Sequence, residues 1–535
     1  MQMVMNIHTN HQNDKFGSKF LKSRKELVEE CLAQLVGNPN KGGHYFTIWA
    51  PRQTGKTWLM RQVKQEIAAR YPNQFALFNF SLGSLRGLKD GEWESTTLPK
   101  ALSTLLENEL PGEPKVSDWS DFSRLFARDR GLWDKPLILL IDEADTAPPS
   151  LLDLIVGQFR ELYLSREKNW LHGLALIGVR AILGLNSRRG SPFNIQKSLH
   201  VPNFTSAEVK ELYRQYMEES AQQIEPAVVE KVNEVTRGQP GLVSWFGELL
   251  TEKYNPGPEH KIDLSTWELV WSMARFVEPN NTVMNLIAKA KMPEYQGFLT
   301  RLFTRADVPF SFHTSQHNYL YMHGIIAPET KKRPSGKFVN LCRFTSPFIQ
   351  DCLYNAFSEE LVGDHWPLLA LEPLDDLADV FSGPELDLPA LLKRYKDYLL
   401  RLKAKGINPW KEQPRRKTDL QLTEAVGHFH LYAWLKEAIG RRCVVSPEFP
   451  TGNGKVDLHL RCAEKRGIIE VKSFVDAYQA KEARGQAAQY AKELGLAKVT
   501  VAMFVPIEDE SVLAKLSVQE VILGVEVTVV AIGWV

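Results

Sequence analysis

The chain has 535 residues, 44% apolar and 24% charged, a balance that supports several packed domains and excludes a disordered or fibrous protein. Its net charge of +1 supplies no global field for nucleic acid or membrane, so any such surface is local. No run reaches the roughly 18 apolar residues of a membrane span, and the first 16 residues are polar, without the apolar core of a signal peptide, and read as a loose tail. The five cysteines, Cys31, Cys342, Cys352, Cys443 and Cys462, are scattered and never spaced C-x-x-C. That argues against a disulfide framework or a zinc site and for a reducing, cytoplasmic home.

In chain order, residues 44–49 read as a strand and 56–70 as a helix, with a second buried strand at 75–81. The apolar runs 136–141 and 174–179 look like central strands of a parallel sheet covered on both faces. Strands alternating with helices predict a doubly wound α/β domain ending near residue 203. Between the first strand and helix lies Ala50-Pro51-Arg52-Gln53-Thr54-Gly55-Lys56-Thr57, the spacing of a P-loop with Ala50 in the place of the first glycine. Backbone N–H groups of such a loop, at a helix N-terminus, form a concave site for phosphates. Lys56 is placed to reach the β/γ-phosphates of ATP and Thr57 to ligate Mg²⁺. The strand 137–141 ends in Asp142-Glu143-Ala144-Asp145, about 85 residues after the loop. A buried strand ending in two carboxylates assigns Asp142 to Mg²⁺ and Glu143 to the attacking water.

Arg180 follows the strand 174–179, where a cation can sense the γ-phosphate; the alternative is a surface arginine, and Arg188 and Arg189 are less placeable. Residues 205–253 are helical, broken at Gly238-Gln239-Pro240-Gly241, where Pro240 either touches the adenine from a helical lid or merely ends a helix. Helices over 264–357 interrupted by a polar turn and strand at 331–341 predict a winged-helix-like domain. Residues 393–417 are basic, ending in Arg415, Arg416 and Lys417, and read either as a solvated linker or as phosphate contacts.

The last domain opens with a helix over 418–439. It continues with strands near 443–449, 455–461 and 467–473, a helix over 478–494, and strands near 498–505 and 525–531. Glu470 and Lys472 alternate with Ile469 and Val471 on a buried strand and so share a face. Asp457 on the preceding strand is close enough to join them across a hairpin. Charges in a buried strand are costly unless paired or metal-bound, so two carboxylates and a lysine point to a Mg²⁺ or Mn²⁺ site for phosphodiester hydrolysis, with an ion pair as the alternative. Glu424 either adds a third carboxylate or is a solvated helix residue. Gln486 and Tyr490, four apart on one helix, either touch the substrate or pack. His428 and His430 are not read as metal ligands.

Residues 44–203, with the loop 50–57 and Leu139-Leu140-Ile141-Asp142-Glu143-Ala144-Asp145, resemble the AAA-like ATP-binding proteins related to archaeal-type and STAND signalling ATPases. The likeness runs through Ser191-Pro192-Phe193-Asn194-Ile195 and Arg237-Gly238-Gln239-Pro240 to about residue 250. Residues 418–505 are similar to PD-(D/E)XK nucleases of the type fused to such ATPases. The resemblance implies Asp457, Glu470 and Lys472 as a nuclease core and Gln486 and Tyr490 as the helix motif of exonuclease-like members. Two departures are Ala50 for glycine and the lack of an aspartate after Arg180.

The expected architecture is an α/β P-loop NTPase with a doubly wound parallel sheet and a helical lid, a winged-helix-like middle, and a C-terminal α/β restriction-endonuclease-like domain. The boundaries are a tail at 1–24, ATPase core 25–203, lid 204–262, winged helix 263–357, helical and basic linker 358–412 and nuclease-like domain 413–535. The expected function is an ATPase regulating a metal-dependent nuclease acting on nucleic acid, with DNA favoured and RNA left open. By analogy alone it serves defence against foreign nucleic acid, with homo-oligomerisation left open. The competing readings are an ATP-dependent signalling switch with an inert nuclease fold and, last, a helicase-like motor.

Overall fold

The computed structural model describes residues 24–83, 116, 118–130, 133–146, 149–178, 198–255, 257–304, 308–332, 336–362, 370–371, 377–410, 424–440, 442–448, 457–462, 464–474, 477–493 and 495–534. The chain divides into two compact units, one of residues 1–282 with 318–325, the other of 283–317 with 326–535.

The first unit is built on β1 (Tyr45–Trp49), β2 (Ala76–Ser81), β3 (Leu137–Asp142), β4 (Leu171–Gly178) and β5 (Ser198–His200), in the order β2-β3-β4-β1-β5. Every pair is parallel, as the unbroken apolar runs predict. Strand alternation splits the core into two layers. Tyr45, Leu139, Ile141, Leu174 and Leu176 pack with Ile155 and Phe159 of α4 (Pro149–Leu164). Phe46, Ile48, Ile138, Leu140, Ala175 and Ile177 pack with Val28 and Leu35 of α1 (Lys25–Val36) and with Leu59 and Val63 of α2 (Lys56–Arg70). A short helix, α3 (Trp119–Arg124), adds Phe122 to the first layer. Because α2 leaves β1 toward one face and α4 leaves β3 toward the other, the carboxyl ends of the strands flank a crevice. Helices α5 (Ser206–Ser220), α6 (Pro226–Thr236), α7 (Pro240–Glu248) and α8 (Leu264–Phe276) follow. Thr205 and Glu208 form a capping box at the start of α5.

The second unit begins with α9 (Asn281–Ala290) and α10 (Pro293–Thr304). After α11 (Ser315–Met322), which runs into the first unit, comes an antiparallel hairpin of β6 (Ile326–Lys332) and β7 (Phe338–Phe344), and then α12 (Pro347–Val362). The helices-then-hairpin order read from the sequence is present. Leu388–Ala404, expected within a helical and basic linker, forms a helix, α13, that packs into the fold: its Leu388, Leu391, Leu392, Tyr395 and Tyr398 are buried. Three of its basic residues are ion-paired, Arg394 with Asp379 at 2.8 Å, Lys396 with Glu510 at 3.1 Å, and Lys403 with Glu508. Those three cations are therefore partly neutralised rather than presented to a polyanion, while Arg415, Arg416 and Lys417 lie outside the described residues.

The C-terminal part follows the sequence reading closely, with α14 (Glu424–Ile439), β8 (Val444–Glu448), β9 (Asp457–Cys462), β10 (Lys465–Ser473), α15 (Ala477–Glu493), β11 (Lys498–Val505), α16 (Glu510–Leu516), β12 (Gln519–Ile522) and β13 (Val525–Gly533). The sheet order is β12-β13-β11-β10-β9-β8. His428 and His430 lie in the core: His428 meets the Tyr354 hydroxyl, and His430 Nδ1 shares a 2.7 Å hydrogen bond with the Tyr395 hydroxyl. Burial pulls the His430 imidazole down to about 4, so it stays neutral. No helix among the described residues is long and apolar enough to cross a membrane.

The structure overturns one reading of the cysteines. Cys443 and Cys462 form a disulfide across the β8–β9 pair, where the ladder already sets Val444 opposite Arg461. Spacing in the sequence carried no sign of it because the pairing depends on strand register, and the cytoplasmic expectation loses that support. Cys31, Cys342 and Cys352 are buried and outside any disulfide among the described residues. Closing a loop over a sequence separation of 19 is worth about 3 kcal/mol by chain entropy. Cys443→Ser is therefore expected to lower the thermal transition of this unit by several degrees. Adding a reductant should shift wild type toward the variant and leave the variant unmoved, as scanning calorimetry would show.

Candidate nucleotide site and a second charged cluster

The loop 50–57 joins β1 to α2, and its turn needs unusual backbone. Gly55, at the N-cap of α2, has φ +86°, and Gln53 has φ +55°, a left-handed conformation that costs a non-glycine residue about 1 kcal/mol or more. The Lys56 ammonium donates to the carbonyls of Ala50 at 2.8 Å and Pro51 at 2.7 Å. The Thr54 hydroxyl ties back to Pro51 O at 2.9 Å.

β3 brings the carboxylates to this loop. The Thr57 hydroxyl donates to Asp142 Oδ2 at 3.2 Å, closing a sequence gap of 85 residues. Burial pushes the Asp142 carboxyl above its ordinary range, and hydrogen bonds from the Glu143 N–H and the Thr57 hydroxyl hold it partly back. A buried carboxylate beside a hydroxyl oxygen is a hard-oxygen pair suited to Mg²⁺. Glu143 has φ +52° and an exposed side chain that accepts a 2.7 Å hydrogen bond from the Ser81 hydroxyl. Ser81 ends β2 directly opposite Asp142, and its oxygen also accepts from the Gly83 N–H at 2.9 Å. A side chain at Gly83 would collide with Glu143, since an added Cβ lies 2.0 Å from Oε2. The sequence reading missed Ser81 and Gly83. The signal was available: Ser81 terminates the strand that neighbours β3.

The α6–α7 junction closes on the loop. Gln239 caps α7 and donates from Nε2 to Arg52 O at 3.2 Å, and the Gly241 N–H donates to Gln53 O at 2.9 Å. Pro240, between them, is buried. Gly238, at φ +69°, approaches so closely that a Cβ would lie 1.9 Å from Phe204 O. Arg24, read as tail from the sequence, is only 5% exposed. It donates to Pro202 O at 2.8 Å and lies 4.8 Å over the Phe204 ring, and its Nη1 is buried without a hydrogen-bond partner. Tyr321 packs edge-on against Trp49, and Gly324 abuts Pro51. Arg180, Arg188 and Arg189 lie outside the described residues, as does the run 191–195.

In the second unit, β9 and β10 set Asp457 directly opposite Glu470. Only the backbone of Asp457 is described. Lys472 Nζ lies 3.0 Å from Glu470 Oε1 and 3.4 Å from Glu424 Oε1, so Glu424, at the start of α14, does reach the cluster. Glu470 is 2% exposed and Lys472 8%. α15 covers this face, since Ala487, Ala488 and Ala491 pack with Ile468. Gln486 on that helix is exposed, whereas Tyr490 is half-buried against the core, its ring 6.4 Å from His459. Among the described residues no three His, Cys, Asp or Glu side chains gather closely enough to hold a metal ion.

No family model and no curated protein match the chain. Among solved structures, a Walker-type ATPase of Pyrococcus abyssi is 14% identical, with 62% of this chain and 95% of that one covered at a TM-score of 0.42. Cdc6p of Pyrobaculum aerophilum is 15% identical over 66% and 97% at 0.37. The RuvB Holliday junction branch migration motor of Thermotoga maritima is 16% identical over 59% and 91% at 0.33. At such scores the assignment for this chain stands on its own geometry.

The lid contact is testable. A Cβ on Gly241 would stand 2.6 Å from Gln53 Cβ, so Gly241→Ala must push α7 off the loop. Overpacking of ~1–2 kcal/mol predicts about tenfold weaker binding of a fluorescent ATP analogue. Affinity equal to wild type would show that the lid does not restrain the loop.

Proposed function

We propose that the first unit binds and hydrolyses ATP. The observation that carries this is the hydrogen bond from Thr57 to Asp142, which joins an anion-binding loop to a strand end bearing two carboxylates. In this reading, Lys56 exchanges its loop carbonyls for the β/γ-phosphates, as a flexible ammonium can. Thr57 and Asp142 hold Mg²⁺, which would neutralise phosphate charge. Glu143 orients a water whose oxygen attacks the γ-phosphorus as the bond to the β-phosphate oxygen breaks, and takes up the water's proton. Ser81 holds the Glu143 carboxylate until substrate is bound. Pro240, at the start of α7, is our candidate for touching the adenine, and Arg180 remains our candidate sensor of the γ-phosphate.

Lys56→Ala is expected to abolish turnover of ATP. Glu143→Gln should retain nucleotide binding while slowing hydrolysis by ~100-fold or more. Phosphate release together with equilibrium binding distinguishes the two, and normal turnover in Lys56→Ala would sink the assignment.

A second activity, phosphodiester hydrolysis in DNA, is proposed for the second unit. It is supported by the register pairing of Asp457 with Glu470 beside the buried Lys472 and Glu424. The described carboxylates alone do not form a metal cluster, so no catalytic step is derived through a metal there. The proposed roles of Gln486 and Tyr490 in holding substrate and of the whole chain in defence rest on the sequence resemblance, and that of residues 263–357 as a winged-helix-like domain rests on the order of helices and hairpin. Glu470→Ala and Lys472→Ala should each remove cleavage of labelled DNA in Mg²⁺ or Mn²⁺ and leave ATP turnover intact. A wild-type chain that cuts neither DNA nor RNA, with or without ATP, is a switch with an inert nuclease fold.

A further inference from the structure

The β6–β7 hairpin carries an exposed aromatic ring, Phe338, near its tip. The ladder sets Lys332 opposite Phe338, Thr330 opposite Asn340, and Ile326 opposite Phe344. Side chains alternate, so these pairs share one face of the hairpin. At its base that face is core, with Ile326 and Phe344 buried. Toward the tip it emerges into solvent. Thr330 and Asn340 join their side chains at 2.7 Å, and beyond them Phe338 is 71% exposed beside the exposed Lys332.

The platform is anchored. The segment before α11 pairs along the outer edge of β7, with the Phe310 N–H donating to Asn340 O and the Cys342 N–H to Val308 O, both at 2.8 Å. Farther down, Glu329 is ion-paired to Arg343 at 2.8 Å and to Lys331 at 3.6 Å. Charge is thus neutralised within the lower hairpin but not at its tip. Lys332 and Lys337 are exposed, and neither has an acidic partner among the described residues.

Folding offers no reason for this arrangement, because a solvated phenylalanine contributes little burial and strands tolerate polar residues at such positions. A planar ring with one lysine opposite it in the ladder and a second at the preceding chain position, neither ion-paired among the described residues, matches one partner chemistry well. A base stacks on the ring, which every base can do, while neighbouring phosphates take the lysines. We propose that the tip of the β6–β7 hairpin binds single-stranded nucleic acid, with Phe338 as the stacking platform and Lys332 and Lys337 as phosphate contacts. An intact duplex hides its base faces, so it can use the lysines only. This site depends on neither the ATPase nor the cleavage assignment.

The test uses the full chain and a fluorescein-labelled oligothymidylate of about 12 nucleotides, followed by anisotropy in EDTA so that no metal-dependent reaction runs. Phe338→Ala should bind about tenfold more weakly, and Phe338→Trp should keep wild-type affinity. Lys332→Glu combined with Lys337→Glu should weaken binding and flatten the logarithmic salt dependence by about 0.7 per lysine. ATP turnover and thermal transition measured on the same preparations should match wild type, because all three side chains are exposed. Equal affinity in Phe338→Ala overturns the proposal. So does a wild-type chain that binds no oligonucleotide, or one that prefers a duplex of the same length whatever stands at 338; the hairpin would then serve a protein partner or none.

Discussion

A parallel sheet buried on both faces constrains everything the first unit can do. Its strands have no hairpins, so each return crosses a face through a helix or loop, and all carboxyl ends come to one edge. With β4 between β1 and β3, the loop after β1 and the carboxylates ending β3 lie close enough for Thr57 to donate to Asp142 across 85 residues. The apolar layers on either side hold those ends in place. They also partly bury Asp142, and that burial pushes its carboxyl above the ordinary carboxylate range. The same packing therefore builds the site and sets its electrostatics.

Three non-ideal backbone positions cluster here: Gln53, Gly55 and Glu143. Left-handed residues outside glycine persist only where surroundings over-determine them. Around Glu143 those surroundings are visible. Its N–H donates to Asp142 Oδ1 at 2.8 Å, its carbonyl accepts from the Thr146 hydroxyl at 2.7 Å, and its carboxylate is held by Ser81. Around Gln53 the restraint comes from the lid, through the Gly241 N–H. The loop and the carboxylate are thus each held by a neighbour that a bound nucleotide could displace.

The second unit puts charge into a buried strand. Glu470 and Lys472 are both nearly inaccessible, and an ion pair in such a place rarely stabilises a fold more than apolar residues would. Glu424 brings a second carboxylate to Lys472, at 3.4 Å from its ammonium. By contrast, the basic run on α13 looks like a polyanion surface in one dimension, yet three of its cations pair with Asp379, Glu508 and Glu510.

The sequence by itself determined many elements, because apolar periodicity and burial are local signals: the strands at 45–49, 76–81, 137–142 and 171–178, and the C-terminal elements other than α16 and β12. It also determined which residues had chemical potential, since the loop 50–57 and the pair Asp142–Glu143 are contiguous. Tertiary structure alone decided what comes together from a distance. Ser81 reaches Glu143 through the β2–β3 register, Arg24 is buried against Pro202 and Phe204, and the cysteines 19 residues apart meet through the β8–β9 ladder. α13 became part of the fold because its apolar side found a core to cover. Register and burial are properties of pairs of segments, and no one-dimensional pattern records which partner a segment will meet.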